Sequence, residues 1–228
     1  MAQEALAIDV DAVLRSYGVT AWGAASNEPR LPMAPPLPTA ISLLATFGRA
    51  ELEGMSSAPT AAYYAGYLRL NDLLNVAANG LAAALREAGH LAVPVPATIP
   101  EDEYDAVEDW CAVPTFAHKT AATRAGLGWI GKTALFISPD NGPRLRLATV
   151  FTDLALPPGK PVTTGRCGSC RRCVDACPAG AGRDVAWSAG LPRDALYDVK
   201  ACERETYKHE DLGGVCGLCI VACPWGRP

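Results

Sequence analysis

The sequence contains no unbroken apolar run of the length a membrane span requires, so no membrane partner is expected. Its start shows no charged segment leading into an apolar core, which is what an export signal needs. The expected location is therefore the reducing cytoplasm, where thiols stay free and disulfides are disfavoured. No basic stripe is visible, and the formal net charge is −4. Up to residue 160 the chain carries 11 basic and 16 acidic side chains, and 9 and 8 beyond it. A nucleic-acid binder needs a cationic face, so a large RNA partner is not expected. A phosphate loop is missing too. Ala125-Gly-Leu-Gly-Trp-Ile-Gly-Lys132 is rich in glycine but lacks the G-x-G-x-x-G order between a strand and a helix. What is present is enough apolar residue, 50 % of 228, for one large domain or for a medium domain with a small one.

Cysteine is where the sequence is dense. Eight of its nine cysteines fall between Cys167 and Cys223. The first group reads Cys167-Gly-Ser-Cys170-Arg-Arg-Cys173-Val-Asp-Ala-Cys177-Pro178. The second reads Cys216-Gly-Leu-Cys219-Ile-Val-Ala-Cys223-Pro224, with Cys202 between the two. Three closely spaced cysteines, then a fourth followed by proline, is the bacterial ferredoxin pattern, in which the fourth ligates the other cluster. Two facing runs then exchange their last cysteines. Cys167, Cys170, Cys173 and Cys223 would hold one 4Fe–4S cluster, and Cys177, Cys202, Cys216 and Cys219 a second. Zinc also takes four cysteines, but zinc sites do not need the triple with a trailing Cys-Pro.

Ahead of the cysteines the reading is α/β, or α+β. Residues 5–17 have helical apolar spacing and stop at Gly18. Strands are expected at Val19–Ala25, Thr39–Phe47 and His90–Pro96. Five prolines in 29–38 predict an extended loop without regular pairing. A long helix is expected over Ala61–Ala88, its Tyr63, Tyr64 and Tyr67 facing either the core or a cofactor. Glu101–Asp109, with six acidic residues in nine, reads as a solvated segment. A helix at 115–125 ends at Gly126. Two β segments, Thr133–Ser138 and Arg144–Asp153, are joined by a turn at 139–143. Pro157–Pro161 reads as a linker. The expected division is a cofactor and substrate domain at 1–160 and a cluster domain at 161–228.

The Ala125–Lys132 turn together with the downstream cysteines resembles the epoxyqueuosine reductase family. The likeness continues through Leu135-Phe-Ile-Ser138, Thr152-Asp-Leu-Ala-Leu156, Cys177-Pro-Ala-Gly180 and Cys219-Ile-Val-Ala-Cys-Pro-Trp225, and covers the chain from about Ile41 onward. The resemblance implies a modified nitroreductase-like domain beside a small ferredoxin-like double-cluster domain. It implies an oxidoreductase that binds cobalamin without its lower axial ligand. Electrons from an external donor (ferredoxin, flavodoxin or a reductase) would reach the corrinoid and then the substrate. By the same resemblance Gly128, Trp129, Ile130, Gly131 and Lys132, with Leu135, Phe136, Ile137 and Ser138, line the cofactor, the glycines letting backbone approach a flat ring; the alternative is a tight turn with Trp129 in the core. His118 lies near it, as a ligand, proton donor or phosphate contact, or else on the surface. Flavin in place of cobalamin is an alternative. So is an electron carrier with no organic substrate.

Departures from the family pattern direct the remaining expectations. Many members carry Asp-Ser-x-Pro upstream of the glycine turn, its Asp being the proposed proton donor. Here Cys111-Ala-Val-Pro114 stands there, so Cys111 and the neighbouring Asp109 are the catalytic candidates, with a buried inert thiol as the alternative for Cys111. The helical-repeat extension of many tRNA-acting members does not follow the last cluster motif. With the acidic balance, this favours a small-molecule substrate over tRNA. Arg171 and Arg172, between two ligands, would raise a cluster potential or dock an acidic donor, or simply aid solubility.

Overall fold

The computed structural model describes residues 8–98 and 116–226. It is a mixed α/β chain that groups into two compact units, each assembled from separated stretches. The first comprises Met1–Ala45, Leu70–Leu127 and Arg146–Pro161. Its frame is a four-stranded sheet of β1 (Ala21–Ser26), β2 (Thr39–Thr46), β3 (Ala92–Val95) and β6 (Leu145–Thr152), in the order β1-β2-β6-β3. β1 runs antiparallel to β2, with Trp22 opposite Leu43, and β3 antiparallel to β6, with Ala92 opposite Thr152. The two central strands are buried along nearly their whole length, which their continuous apolar runs require.

Helix α1 (Val10–Ser16) starts later than the apolar spacing suggests, because the Asp9 carboxylate accepts from the Ala12 N–H at 3.0 Å and caps it there. Helix α3 (Ala61–Glu87) follows a short α2 (Arg49–Leu52) and matches the expected long helix. Its Leu70, Leu74, Ala77, Leu81 and Leu85 are buried at three- and four-residue spacing. Helix α4 (His118–Arg124) ends where Gly126 turns at φ +79°.

The proline-rich loop is more ordered than its composition suggests. The buried Asn27 amide donates to the carbonyls of Leu37 at 2.9 Å and Pro35 at 3.1 Å, and its oxygen accepts from Leu31 N–H at 3.0 Å. Leu31, Ala34 and Leu37 thereby enter a core with Ala25, Ala40, Ala121, Ala125 and Phe151.

The second unit comprises Thr46–Arg69, Gly128–Leu145 and Val162–Pro228. A cut at 160/161 therefore parts the cysteine segment from two earlier stretches with which it is compact. The physical reason lies in its core. The short helices α5 (Arg172–Asp175), α6 (Arg193–Leu196), α7 (Val199–Thr206) and α8 (Leu218–Ala222) supply little apolar bulk. The centre is instead Trp129 and Ile137 with Cys223, flanked by Val162, Cys167, Trp187 and Trp225. Trp129 and Ile137 sit on a two-stranded ribbon of β4 (Trp129–Ile130) and β5 (Phe136–Ile137). The turn at 139–143 forms as expected, closed by reciprocal Ser138–Gly142 backbone bonds of 3.0 Å. The flanking strands do not pair with each other, however: β5 pairs with β4, and β6 joins the four-stranded sheet.

The Asn27 amide gives a test of the loop. Asn27→Ala leaves one buried donor and two acceptors without it, and should lower stability by about 2–3 kcal/mol. The urea midpoint by tryptophan fluorescence, against wild type, measures this.

Candidate metal centre

Local chain geometry sets the cysteines. Gly168, at φ +54°, sits in the turn in which the Cys170 N–H donates to the Cys167 carbonyl at 3.1 Å. Cys173 lies on α5, and Cys177 just beyond its end, where Pro178 follows. Cys202 lies on α7, whose Asp198 cap accepts from Ala201 N–H at 2.9 Å. Cys216 precedes Gly217, which caps α8 at φ +71°, while Cys219 lies on α8 and Cys223 follows it. All eight are free thiols, half-buried except for the buried Cys223.

Their electrostatics divide them into two sets. Burial raises the Cys173 thiol above the usual range, and Cys167 and Cys170 raise it further. Burial also raises Cys223, with Cys173 and Cys167 adding to it and the Arg144 cation opposing. In the other set burial pushes Cys202 up to about 11, with Cys177, Cys216 and the Glu205 carboxylate contributing. Cys216 is raised by burial, then by Glu205 and Cys177. Cys219 is raised by burial, then by Cys216, Cys202, Cys173 and Cys177 in turn. Helix α5 packs on α8, and Cys173 is the member of the first set that Cys219 senses.

Cys173, Cys202, Cys216, Cys219 and Cys223 thus resist ionisation, first because burial disfavours the charged form and then because neighbouring thiolates repel it. Bound iron reverses that, since a metal cation holds its cysteines deprotonated. Among the described residues no three His, Cys, Asp or Glu side chains converge as they would on one metal ion. The sulfurs also meet donors. Ala181 N–H points at Cys177 Sγ at 3.4 Å, and the Thr133 hydroxyl reaches Cys173. Backbone N–H groups of Leu218 and Trp225 serve Cys216 and Cys223. Such N–H···S bonds are a standard means of setting cluster potential.

Residues from earlier in the chain hold this arrangement. The Arg144 guanidinium donates to the carbonyls of Trp225 at 2.5 Å and Cys223 at 2.6 Å. Gly142 lies so close to the Trp225 carbonyl that a side chain there would collide with it. The rings of Tyr64 and Tyr63 lie against Gly213 and Gly217, on either side of Cys216. Two of the three tyrosines thus buttress a cysteine loop. Nothing in the local pattern around Arg144, Tyr63 or Tyr64 marks these roles.

The residues nominated for the cofactor are placed as follows. Trp129, Ile130, Lys132, Phe136, Ile137 and Ser138 are buried, Gly128 and Gly131 with them, and Leu135 is half-buried. The missing side chain of Gly128 leaves room for the Ile137 carbonyl and the Phe136 ring of the facing strand. Ser138 Oγ accepts from Asn141 N–H at 3.0 Å. Lys132 Nζ pairs with Asp184 at 2.7 Å, and Asp184 also meets Arg171 at 3.2 Å. The Arg166 cation lies 5.5 Å from the Trp129 ring centre.

His118 stands in the first unit with both nitrogens engaged, Nδ1 with Thr149 Oγ1 at 2.8 Å and Nε2 with the Pro96 carbonyl at 2.9 Å. The carbonyl fixes the proton on Nε2, and Nδ1 then accepts from the hydroxyl. Burial, only partly offset by the Pro96 carbonyl, and the Arg146 charge lower its pKa to about 4. It is a neutral structural bridge rather than a surface group. Cys111 and Asp109 lie outside the described residues.

Comparison with known proteins agrees with this geometry. Residues 166–226 match the family described as 4Fe-4S double cluster binding domain. The epoxyqueuosine reductase of Cyclobacterium marinum is 34 % identical over 119 residues, 46 % of this chain and 36 % of the relative. A tetrachloroethene reductive dehalogenase of Desulfitobacterium hafniense is 30 % identical over 159 residues, 64 % of this chain and 26 % of the relative. The matches thus span only about a third of these relatives' length, or less. Among solved structures, a reductive dehalogenase described as suggesting a mechanism for B12-dependent dehalogenation has a TM-score of 0.71 at 23 % identity, over 96 % of this chain and 31 % of its own. An epoxyqueuosine reductase solved with an epoxyqueuosine-modified tRNA-Tyr stem loop has a TM-score of 0.60 at 18 % identity, over 95 % and 64 %.

The fold and the paired thiol sets define a chain with a double 4Fe–4S cluster domain. Its α/β fold is shared with epoxyqueuosine reductases and reductive dehalogenases of solved structure.

His118 yields a pH test. Its native pKa lies below the ordinary 6.5, so the unfolded chain takes up the proton first. This contribution is complete above 6.5 and is lost as pH falls from there toward about 4. His118→Gln should flatten the loss of stability between pH 7.5 and 5, read from urea midpoints at each pH.

Proposed function

We propose that this chain is an iron–sulfur oxidoreductase that relays single electrons from an external donor through two 4Fe–4S clusters to a bound acceptor. Cys167, Cys170, Cys173 and Cys223 hold the first cluster, and Cys177, Cys202, Cys216 and Cys219 the second. The observation that carries this is the division of eight free thiols into two sets of four, each drawing a ligand from the other run. Cysteine sulfur is the donor set such clusters take, and the N–H groups around it complete the fit. The nearness of Cys173 to Cys219 supports transfer from one set to the other.

The acceptor is cobalamin in this reading, on the strength of the dehalogenase likeness. A corrinoid, when bound, supplies one-electron chemistry at cobalt. The side chains first nominated for it do not fit that role. Trp129, Phe136 and Ile137 are built into their own ribbon, Lys132 is paired with Asp184, and His118 has both nitrogens engaged. Trp129 and Ile137 supply core beside Cys167 and Cys223, His118 bridges Thr149 and Pro96 in the first unit, and no step of the reaction is assigned to any of these side chains. The substrate is a small molecule rather than tRNA, as the net charge of −4 favours. The donor is a ferredoxin, flavodoxin or reductase.

Anaerobic reconstitution tests the core of this reading. Wild type should bind about eight irons and as much sulfide, as two such clusters require. Cys223→Ala should retain about four, with loss of the cluster built on Cys167, Cys170 and Cys173 by Mössbauer or EPR spectra. Loss of the Cys216 cluster instead would overturn the pairing, and about two zincs without sulfide would overturn the whole reading.

The acceptor is tested by adding cobalamin to the loaded protein. Stoichiometric binding with a base-off cob(II)alamin EPR signal is expected. Intact clusters without binding would leave an electron carrier, and a yellow chromophore a flavin enzyme. Turnover of epoxyqueuosine-bearing tRNA would overturn the small-molecule assignment.

A further inference from the structure

The Trp129 indole is 0 % exposed, at the centre of the second unit's core. Its Nε1–H is closed off from solvent and has no hydrogen-bond partner among the described residues. Folded proteins rarely leave a buried donor this way, because it has given up water for nothing. The surroundings narrow down what it is meant for. Ile137, Val162, Trp187 and Trp225 offer side chains that are apolar or carry an indole donor of their own. Trp225 stands edge-on at 4.7 Å, and the Arg166 cation is 5.5 Å from the ring centre. The side chains of this cluster able to accept are Cys167 and Cys223. Both belong to the first ligand set. A neutral thiol is a weak acceptor, whereas a thiolate or sulfide bearing the charge of a cluster is a strong one.

We propose that Trp129 is a tuning residue for the first cluster, its Nε1–H donating a hydrogen bond to a cluster sulfur. The inference rests on the cluster assignment above. Trp129 was nominated from sequence as a cofactor contact, and this assigns it a different cofactor and a definite atom. A hydrogen bond to sulfur draws off negative charge, which favours the reduced cluster over the oxidised one and raises the potential. The second set lies outside this core, so its cluster should not feel the change.

Trp129→Phe removes the N–H and keeps an aromatic ring in the core. Iron and sulfide are counted in variant and wild type, and both clusters are titrated potentiometrically under EPR observation. The expected result is unchanged iron content, a lower potential for the cluster that Cys223→Ala abolishes, and an unmoved second potential. Full iron content with neither potential shifted, or with both shifted equally, would overturn the proposal. Wild type without iron would instead sink the cluster assignment itself. Should the phenylalanine variant fail to retain the first cluster, benzothienylalanine at position 129 keeps the two-ring shape without the donor. It should lower the same potential, and a loaded protein with wild-type potentials would overturn the role.

Discussion

Burial of thiols whose charged forms also repel one another is the constraint from which the second unit follows. Burial already opposes ionisation of Cys173, Cys202, Cys216, Cys219 and Cys223, and each neighbouring sulfur adds to the opposition. A chain that places such groups together is at odds with its own electrostatics until metal supplies the positive charge. The Arg144 cation relieves some of this at Cys223, and hydrogen-bond donors facing sulfur relieve it at Cys173, Cys216 and Cys223.

Short helices cannot carry that load alone. The cysteine segment therefore shares a core with a ribbon from Gly128–Leu145 and with the tyrosines of Thr46–Arg69. Arg144 binds two carbonyls next to the last ligand, and Tyr63 and Tyr64 brace the glycines around Cys216. The ligands sit in one part of the sequence, while what holds them in place is spread over most of it.

That difference explains what was legible in advance. Ligand spacing is a local property, so the cysteine runs declared a double 4Fe–4S cluster domain. The long helix was equally plain, because Leu70 to Leu85 repeat at its own period. Asn27 and Arg144 carry no such signal: each is a lone polar residue whose partners are set by the fold. The turn at 139–143 showed that the chain reverses, but not which strands would pair, since β4 is only two residues long. The glycines of 128–131 signalled a close approach. The approaching group proved to be the facing strand, Ile137 and Phe136, within the same ribbon. His118 stays open between a functional and a surface group in the sequence, which cannot show that Thr149 and Pro96 occupy both its nitrogens.

The proposed exchange of last ligands has a consequence for biosynthesis. Cys223 is made long after Cys167, Cys170 and Cys173, and in that pairing the first cluster is incomplete without it. The second, so assigned, must likewise wait for Cys216 and Cys219. During translation the nascent chain thus displays half-built thiol sets that cannot yet close around iron. In that pairing metal loading is a late event, since neither thiol set is complete before the last cysteines are made.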